Sequence, residues 1–145
     1  MHTSELIVRE CIRELVARYN SSGDSGQFDD FVECFAADAT LELSEGGTSI
    51  VYEGHAGLHS MLAKARDDFI DDAAVHRGMA YLRHSATTHV ISLVDARHAR
   101  GRAYFNVVRS WGLDHWGTYV DEYADLKGRW VITRRKITIE GRVAS

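Results

Sequence analysis

Proline is absent from this 145-residue sequence, and cysteine occurs only at Cys11 and Cys34. The lack of proline permits long uninterrupted helices and strands, although it identifies no particular fold. Both cysteines fall on apolar helical positions, which predicts two buried, reduced thiols rather than a disulfide or a metal pair. We therefore do not expect a small scaffold held together by disulfides.

Long apolar runs and clusters of basic residues are also missing. No apolar run approaches the length of about 20 residues that a membrane-spanning helix needs, and the N-terminus lacks the pattern of a secretory signal. We therefore expect no membrane association and a cytoplasmic location. The net charge is −4, and no run of Lys and Arg is long enough to follow a phosphate backbone, so nucleic acid is not an expected partner.

What the sequence does contain is the composition of a globular protein, with 45% hydrophobic and 26% charged residues. The length is enough for one domain with a hydrophobic core, and no linker or internal repeat divides it. A single domain over residues 1–145 is therefore predicted.

One long strand is predicted over Tyr81–Asp95, which reads YLRHSATTHVISLVD and is rich in β-branched, alternating residues. Side chains alternate between the two faces of a strand, so His84 shares a face with apolar and small residues and with Thr88. A histidine in such a position is either a core residue satisfied by a hydrogen bond or the base of a lined cavity.

An amphipathic helix is predicted over Glu5–Asn20, and Tyr19 ends its apolar face. The Tyr19 ring is expected to point inward, with a hydroxyl that is packed in the core or opens into a cavity. The following residues, NSSGDSG, have the composition of a turn before a second short helix. Asp24 and Ser25 are the candidate N-caps of that second helix, and Gln27 stands three residues after Asp24 at the position of a capping-box partner.

A β-hairpin is predicted around the SEGG turn at residues 44–47, and a third helix begins at Gly54. His55 and His59 lie one turn apart on this helix, but no third ligand is evident, so no metal site is expected there. Residues 73–80 form a predicted loop of a size that could cover a pocket.

Three more long strands are predicted over Ala99–Ser110, Gly117–Leu126 and Arg129–Ile139, with residues 111–116 as a connection. Strands joined by short turns pair in antiparallel fashion, and the helices must then cover one face of the sheet. The last strand places Trp130 and Ile132 on the other face, where an exposed apolar patch would favour a homodimer.

Arg135 falls among apolar neighbours in the last predicted strand. A lone guanidinium in that environment is costly unless it is paired. Arg135 is therefore expected to pair with a structural carboxylate such as Asp121 or to receive an anionic group of a substrate.

The order of these elements and several segments resemble the nuclear transport factor 2-like (NTF2-like) superfamily, and within it the SnoaL-like proteins. The segments are RYNSSGDSGQFDDFVECFAADATLEL, YEGHAGLHSML, LRHSATTHVISL and GTYVDEYADLKGRWVITRRKI. The resemblance covers nearly the whole chain. It implies an α+β fold in which a curved mixed or antiparallel sheet wraps around three N-terminal helices and forms a cone with a deep, mostly apolar pocket.

The resemblance also implies a catalytic pair. Scytalone dehydratase, bile-acid dehydratase and a dehydrochlorinase each pair an Asp after the first helix with a His on the first long strand. Those positions match Asp24 and His84 here, and Tyr19 matches the tyrosine that often accompanies them. By this resemblance, the chain is a dehydratase-like lyase that needs no cofactor and no metal and acts on a small apolar or aromatic, polyketide-like substrate.

The sequence also departs from its relatives at specific positions. Leu43 stands where the ketosteroid isomerases carry a carboxylate base, the region matching a second histidine of scytalone dehydratase contains none, and Thr88 stands where many SnoaL-like proteins have Asn. The substrate-binding candidates are the following polar residues near the proposed pair: Thr88, Tyr119, Asp121 and Arg135. Two alternatives stay open, namely a polyketide-type cyclase or isomerase that uses the same residues, and a non-catalytic small-molecule-binding module.

Overall fold

The computed structural model describes residues 2–75 and 82–143. In chain order, the elements are α1 (Thr3–Asp24), α2 (Phe28–Glu33), β1 (Phe35–Glu45), β2 (Thr48–Glu53), α3 (Gly54–Val75), β3 (Arg83–Asp95), β4 (His98–Arg109), β5 (Gly112–Leu126) and β6 (Arg129–Arg142).

The strands form one mixed sheet in the order β2-β1-β6-β5-β4-β3. Within it, β1 and β6 are parallel, whereas the other neighbouring pairs are antiparallel, as short hairpin connections require. The predicted hairpin is present between β1 and β2, and its turn uses Gly46 and Gly47 with positive φ angles. The predicted α+β fold with a curved sheet against helices is confirmed, and the six-stranded sheet is not closed.

The core lies between the helices and one face of this sheet. It joins the buried face of α1 to residues of α2, α3 and the strands, including Ile12, Leu15, Phe35, Leu58 and Ile132. Burying a side chain of this size stabilises the fold by roughly 1.5–3 kcal/mol relative to leaving it in water. The sheet and the helices are therefore held as one body around a shared interior.

Bulges bend the sheet at defined points. The register between β3 and β4 shifts between Thr87 and Val90, and the register between β5 and β6 shifts between Trp116 and Gly117 and again between Glu122 and Tyr123. A bulge inserts one residue, bends the strand and reverses which face the following side chains occupy. Each shift therefore changes which residues point toward the helices.

Three local predictions are wrong. Most of the segment NSSGDSG is helix rather than turn, because α1 continues to Asp24 and only Ser25 and Gly26 form the turn. Ser22 and Ser25 donate hydrogen bonds to carbonyls of the preceding helical turn. Asp24 is therefore not the N-cap of α2, a position that Gln27 occupies. The predicted connection over residues 111–116 is also replaced by strand, because β5 begins at Gly112.

The predicted patch on the outer sheet face is wrong for Ile132, which is fully buried. Thr133 is the extra residue at the β5–β6 register shift, so the strict alternation assumed for β6 fails there. Cys11 is exposed rather than buried, while Cys34 is buried, and neither forms a disulfide. Two predicted features lie outside the described residues, namely the start of β3 at Tyr81 and residues 76–80 of the loop. Residues 73–75 of that predicted loop belong to α3.

Candidate active site

Asp24 is the last residue of α1, and it is held there by how the helix ends. The backbone N–H of Ser25 bonds to the Ser21 carbonyl, and Gly26 follows with a φ of +75° that glycine tolerates without strain. A helix C-terminus carries partial negative charge and disfavours a carboxylate. The presence of Asp24 at this position is therefore not explained by helix stability.

Asp24 is explained by two hydrogen bonds to His84 on β3. The ring Nδ1 of His84 lies 2.6 Å from Asp24 Oδ1, and the backbone N–H of His84 donates to Oδ2 at 2.9 Å. A carboxylate can only accept, so the proton of the neutral ring is on Nδ1 and Nε2 is left as an acceptor. The predicted pair is thus brought together, with the imidazole fixed at both its ring and its backbone.

This pair lies on the wall of a cavity of about 630 Å³ between the helices and the sheet. Most of the lining is apolar and comes from α2, α3 and the inner sheet face, including Phe28, Phe31, Met61, Phe69, Phe105 and Ile139. A cavity of this size with an apolar lining and few polar groups is typical of sites for small molecules.

A second cavity of about 640 Å³ reaches the same pair from the other side, between α1 and β3. Its lining is more polar and includes Arg13, Asn20, Arg83 and His89. We take the first cavity as the candidate site, because only that one also includes the tyrosines predicted to accompany the pair.

Tyr19 and Tyr119 both line the first cavity. Burial raises the pKa of each hydroxyl above its usual value, so both are protonated at neutral pH and can donate. The Tyr119 hydroxyl already donates to Asn20 Oδ1 at 3.2 Å. Tyr19 packs against Phe31 with ring centroids 4.5 Å apart.

Arg135 and Asp121 form a buried ion pair beneath these rings. Arg135 donates from Nε and Nη2 to the two Asp121 oxygens, each at 2.7 Å, and its Cζ lies 4.2 and 4.0 Å from the ring centroids of Tyr19 and Tyr119. Burial alone lowers the pKa of Arg135, but the charge of Asp121 outweighs it and holds the pKa well above the usual value. Neither member is among the residues lining the cavity.

Thr88 is placed differently from the other candidates. It is an exposed residue with a φ of +53° at the bulge of β3, and it does not line the first cavity. The alternation that groups Thr88 with His84 holds only as far as Ala86, because the register shift reverses the faces. Beyond the bulge, His89 and Ile91 point inward instead.

His115 on β5 is a site residue that the sequence interpretation missed. It lines the same cavity, and its Nδ1 lies 2.7 Å from Asp114 Oδ2. Gly117, Tyr119 and Asp121 alternate along the inner face of β5. Extending this alternation two residues back would have included His115. The assignment of residues 111–116 to a connection concealed it.

Two further predictions concern metals and membranes. Among the side chains that the structure describes, at residues 2–69 and 82–143, no group of three or more His, Cys, Asp or Glu is placed to hold a metal ion. His55 instead bonds through Nε2 to the Phe35 carbonyl at 2.9 Å. No helix in the described part of the chain is long and apolar enough to span a membrane.

Solved structures with a similar fold are numerous, whereas no protein with a curated description matches the chain. A variant of Rv3472 from Mycobacterium tuberculosis, a protein of unknown function, is 24% identical with a TM-score of 0.73, covering 96% of this chain and 75% of that one. An NTF2-like protein with a cystatin-like fold from Novosphingobium aromaticivorans is 23% identical with a TM-score of 0.71, covering 96% and 86%.

A provisionally named scytalone dehydratase from Novosphingobium aromaticivorans has a TM-score of 0.76 at 15% identity, covering 100% of this chain and 92% of that one. At such identities, these structures establish the NTF2-like fold and no activity. The family model described as a SnoaL-like domain matches residues 4–136, nearly the whole chain. The chain therefore belongs to the SnoaL-like domain family.

Proposed function

We propose that this protein is a small-molecule lyase of the dehydratase type, in which His84 and Asp24 act as one acid–base unit in the apolar cavity. The observation that carries the proposal is the 2.6 Å bond between His84 Nδ1 and Asp24 Oδ1 at the wall of a cavity large enough for a ligand. A filled interior would have favoured a binding or dimerisation module instead. The likeness in fold to a provisionally named scytalone dehydratase is consistent with this chemistry.

The reaction begins with proton transfer to the free ring nitrogen. His84 Nε2 takes a proton from the carbon next to a carbonyl of the substrate, and the electron pair moves onto the carbonyl oxygen to form an enolate. Asp24 stays ionised and stabilises the resulting imidazolium through Nδ1. Proton transfer by a positioned group accelerates such a step by roughly 10²–10⁴-fold.

The second step returns the proton. The enolate reforms the carbonyl and a new carbon–carbon double bond, while the bond to the β-hydroxyl breaks and His84 Nε2 gives its proton to the departing oxygen. The products are water and an unsaturated carbonyl compound, and His84 is neutral again. Tyr19, whose hydroxyl stays protonated at neutral pH, donates to the enolate oxygen as charge develops.

The buried ion pair of Arg135 and Asp121 packs against the tyrosine rings of this site. Arg135 contacts the rings of Tyr19 and Tyr119 and fixes their positions, and its positive charge favours negative charge developing in the cavity above. In this proposal Arg135, Asp121 and Tyr119 position the polar end of the site, since the Tyr119 hydroxyl is already bonded to Asn20.

The test is a product screen with matched histidine variants. Wild type, His84→Ala and His89→Ala would be incubated with β-hydroxy ketones and hydroxylated phenolic ketones, and loss of water would be followed by mass spectrometry. His89 lies on the same strand but does not line the first cavity. We expect His84→Ala to lose about 10²–10⁴-fold of the rate and His89→Ala to keep it. Equal rates for His84→Ala and wild type would reject the proposal.

We also propose that the protein is a cytoplasmic homodimer. Its two cysteines are free thiols, which persist in a reducing compartment. The sheet face opposite the helices exposes Val90, Tyr104 and Val120, with exposed fractions of 47%, 59% and 52%. Val90 and Val120 both pair with Arg102 on β4, and Tyr104 lies two residues along β4 on the same face, so the three apolar side chains surround that arginine. Apolar side chains grouped in this way on one exposed face favour an interface between copies.

A further inference from the structure

A second histidine–carboxylate pair lies two strands away from the first on the sheet, and its histidine lines the same cavity. Cross-strand register pairs His84 with Val107 and Val107 with His115, so the three residues form one row on the inner sheet face. Neighbouring strands lie about 4.8 Å apart, which separates the backbones of His84 and His115 by roughly 10 Å. Both histidines line the same cavity.

Asp114 fixes the orientation of the His115 ring. The sequence places them side by side, and a register shift between β4 and β5 leaves Asp114 between the paired residues Leu113 and His115. His115 Nδ1 lies 2.7 Å from Asp114 Oδ2, and Asp114 also lies 3.4 Å from Arg109 Nε. Because the carboxylate accepts only, Nδ1 carries the proton and the neutral ring presents Nε2 as an acceptor.

The surroundings keep His115 in this neutral form. Burial lowers the pKa of its imidazole, and the nearby charges of Arg142 and His84 lower it further, against the opposite effect of Asp114. Among the side chains that the structure describes, at residues 2–69 and 82–143, none bonds to His115 Nε2. Its ring packs edge-on against Phe105 with centroids 6.1 Å apart, so the adjoining wall is apolar.

A fixed, partly buried acceptor without a partner among the described side chains is satisfied by water or by a donor on a ligand. We propose that His115, oriented by Asp114, is a specificity-determining residue that accepts a hydrogen bond from a ligand hydroxyl on the sheet wall of the cavity, two strands away from His84. The substrate class is then an apolar body, accommodated against Phe105, with a hydroxyl remote from the reacting carbon. The inference rests on the proposed function in taking this cavity as the substrate site.

The experiment measures binding of three unreactive naphthalene probes that carry two, one and no hydroxyl donors: 2,6-dihydroxynaphthalene, 2-naphthol and 2,6-dimethoxynaphthalene. Wild type should bind the diol about tenfold more tightly than 2-naphthol, the worth of one additional hydrogen bond. His115→Phe, which keeps a ring but lacks the acceptor, should bind both equally. His115→Gln, which restores an acceptor oxygen, should regain the preference.

A measurement on the wild-type protein guards against variants that fold poorly. The ¹⁵N resonance of His115 Nε2 should shift when the diol is added and stay in place with the dimethoxy compound, which has no donor. An undiminished preference for the diol in His115→Phe, or an unmoved resonance, would overturn the inference. Because these readouts require no turnover, their failure leaves a His84-dependent dehydration untouched, and absence of that dehydration leaves the binding result readable.

Discussion

At the scale of single residues, the position of each charge indicates its role. Asp24 sits at a helix C-terminus, which disfavours a carboxylate, and gains two hydrogen bonds to His84 in return. Asp121, by contrast, is bound on both oxygens by Arg135 and on one by the Tyr123 hydroxyl at 2.6 Å. Asp24 thus lines the cavity beside its histidine partner, whereas both carboxylate oxygens of Asp121 are already hydrogen-bonded inside the core.

Arg135→Leu should destabilise the protein by about 3–5 kcal/mol, because it leaves the charge of Asp121 buried without its partner. The matched control is Arg134→Leu, an exposed arginine one residue earlier on β6, which should change the stability by less than about 0.5 kcal/mol. Urea unfolding of both variants measures the difference. Similar stabilities for the two would show that the buried pair contributes little to the fold.

The stability should fall as the pH is lowered from 7 toward 5. Burial lowers the pKa values of His89 and His115 below the usual value of about 6.5. As the pH falls, the unfolded chain therefore binds protons first, and its gain in protons favours unfolding. The double variant His89→Gln/His115→Gln should show a smaller fall in unfolding free energy between pH 7.5 and 5.5. An unchanged fall would contradict this assignment.

At the scale of the elements, alternation predicts a strand correctly until a bulge interrupts it. His84 and Ala86 share the inner face of β3 as the sequence predicts, but the bulge beyond Thr87 turns Thr88 outward and His89 inward. On β6, the extra residue Thr133 likewise reverses the alternation of faces, and Ile132 is buried as a result. A bulge depends on close packing between neighbouring strands, so the local sequence alone does not predict it.

Local composition also misled the assignment of the helix end. The residues of NSSGDSG favour turns in isolation, but Ser22 and Ser25 bond back to helix carbonyls, and Ser22 is buried. Tertiary packing thus extends α1 by one turn and carries Asp24 to β3. The association of Asp24 with His84 could be inferred from the family resemblance, whereas the hydrogen bonds that form it could not.

Gly117→Ala should destabilise the sheet by at least about 3 kcal/mol. An added Cβ there would collide with the Thr138 carbonyl oxygen and the Phe105 ring, at the bulge two residues after His115. The control is Gly23→Ala, where the nearest atom would be a ring carbon of Phe31 at 3.3 Å. We expect the control to change the stability by less than about 1 kcal/mol. Thermal melting of the two variants measures this difference in stability, and equal melting temperatures would refute this account of the bulge.

At the scale of the whole molecule, the curved sheet has two faces with different roles. The inner face meets the helices and lines the cavity, while the outer face exposes apolar side chains on β3, β4 and β5. That division could be expected from the order of the elements, because three helices can cover only one side of the sheet. Which outer residues are exposed depended on the bulges.

Val120→Asp should convert the proposed homodimer into a monomer, because it places a carboxylate on the outer sheet face that the dimer would bury. Ile7→Asp on α1 is the control, since Ile7 is similarly exposed at 59% but lies away from the sheet's outer face. Sedimentation equilibrium measures both, and Ile7→Asp should keep the dimer mass. A concentration-independent monomer mass for the wild type would exclude the homodimer.

The central claim, that Asp24 and His84 act as one catalytic unit, is tested most directly by a double-mutant cycle. It compares the turnover of a substrate from the screen by wild type, Asp24→Asn, His84→Ala and the double variant. Asp24→Asn keeps the shape of the side chain but removes the charge that orients and stabilises the imidazole.

We expect Asp24→Asn to melt near the wild-type temperature, since the replaced carboxylate lies at a helix end that disfavours it. Its turnover should fall by two or more orders of magnitude, and the double variant should be little slower than His84→Ala alone, because residues that act as a unit are non-additive. Nearly full activity in Asp24→Asn, or losses that simply add in the double variant, would contradict the account.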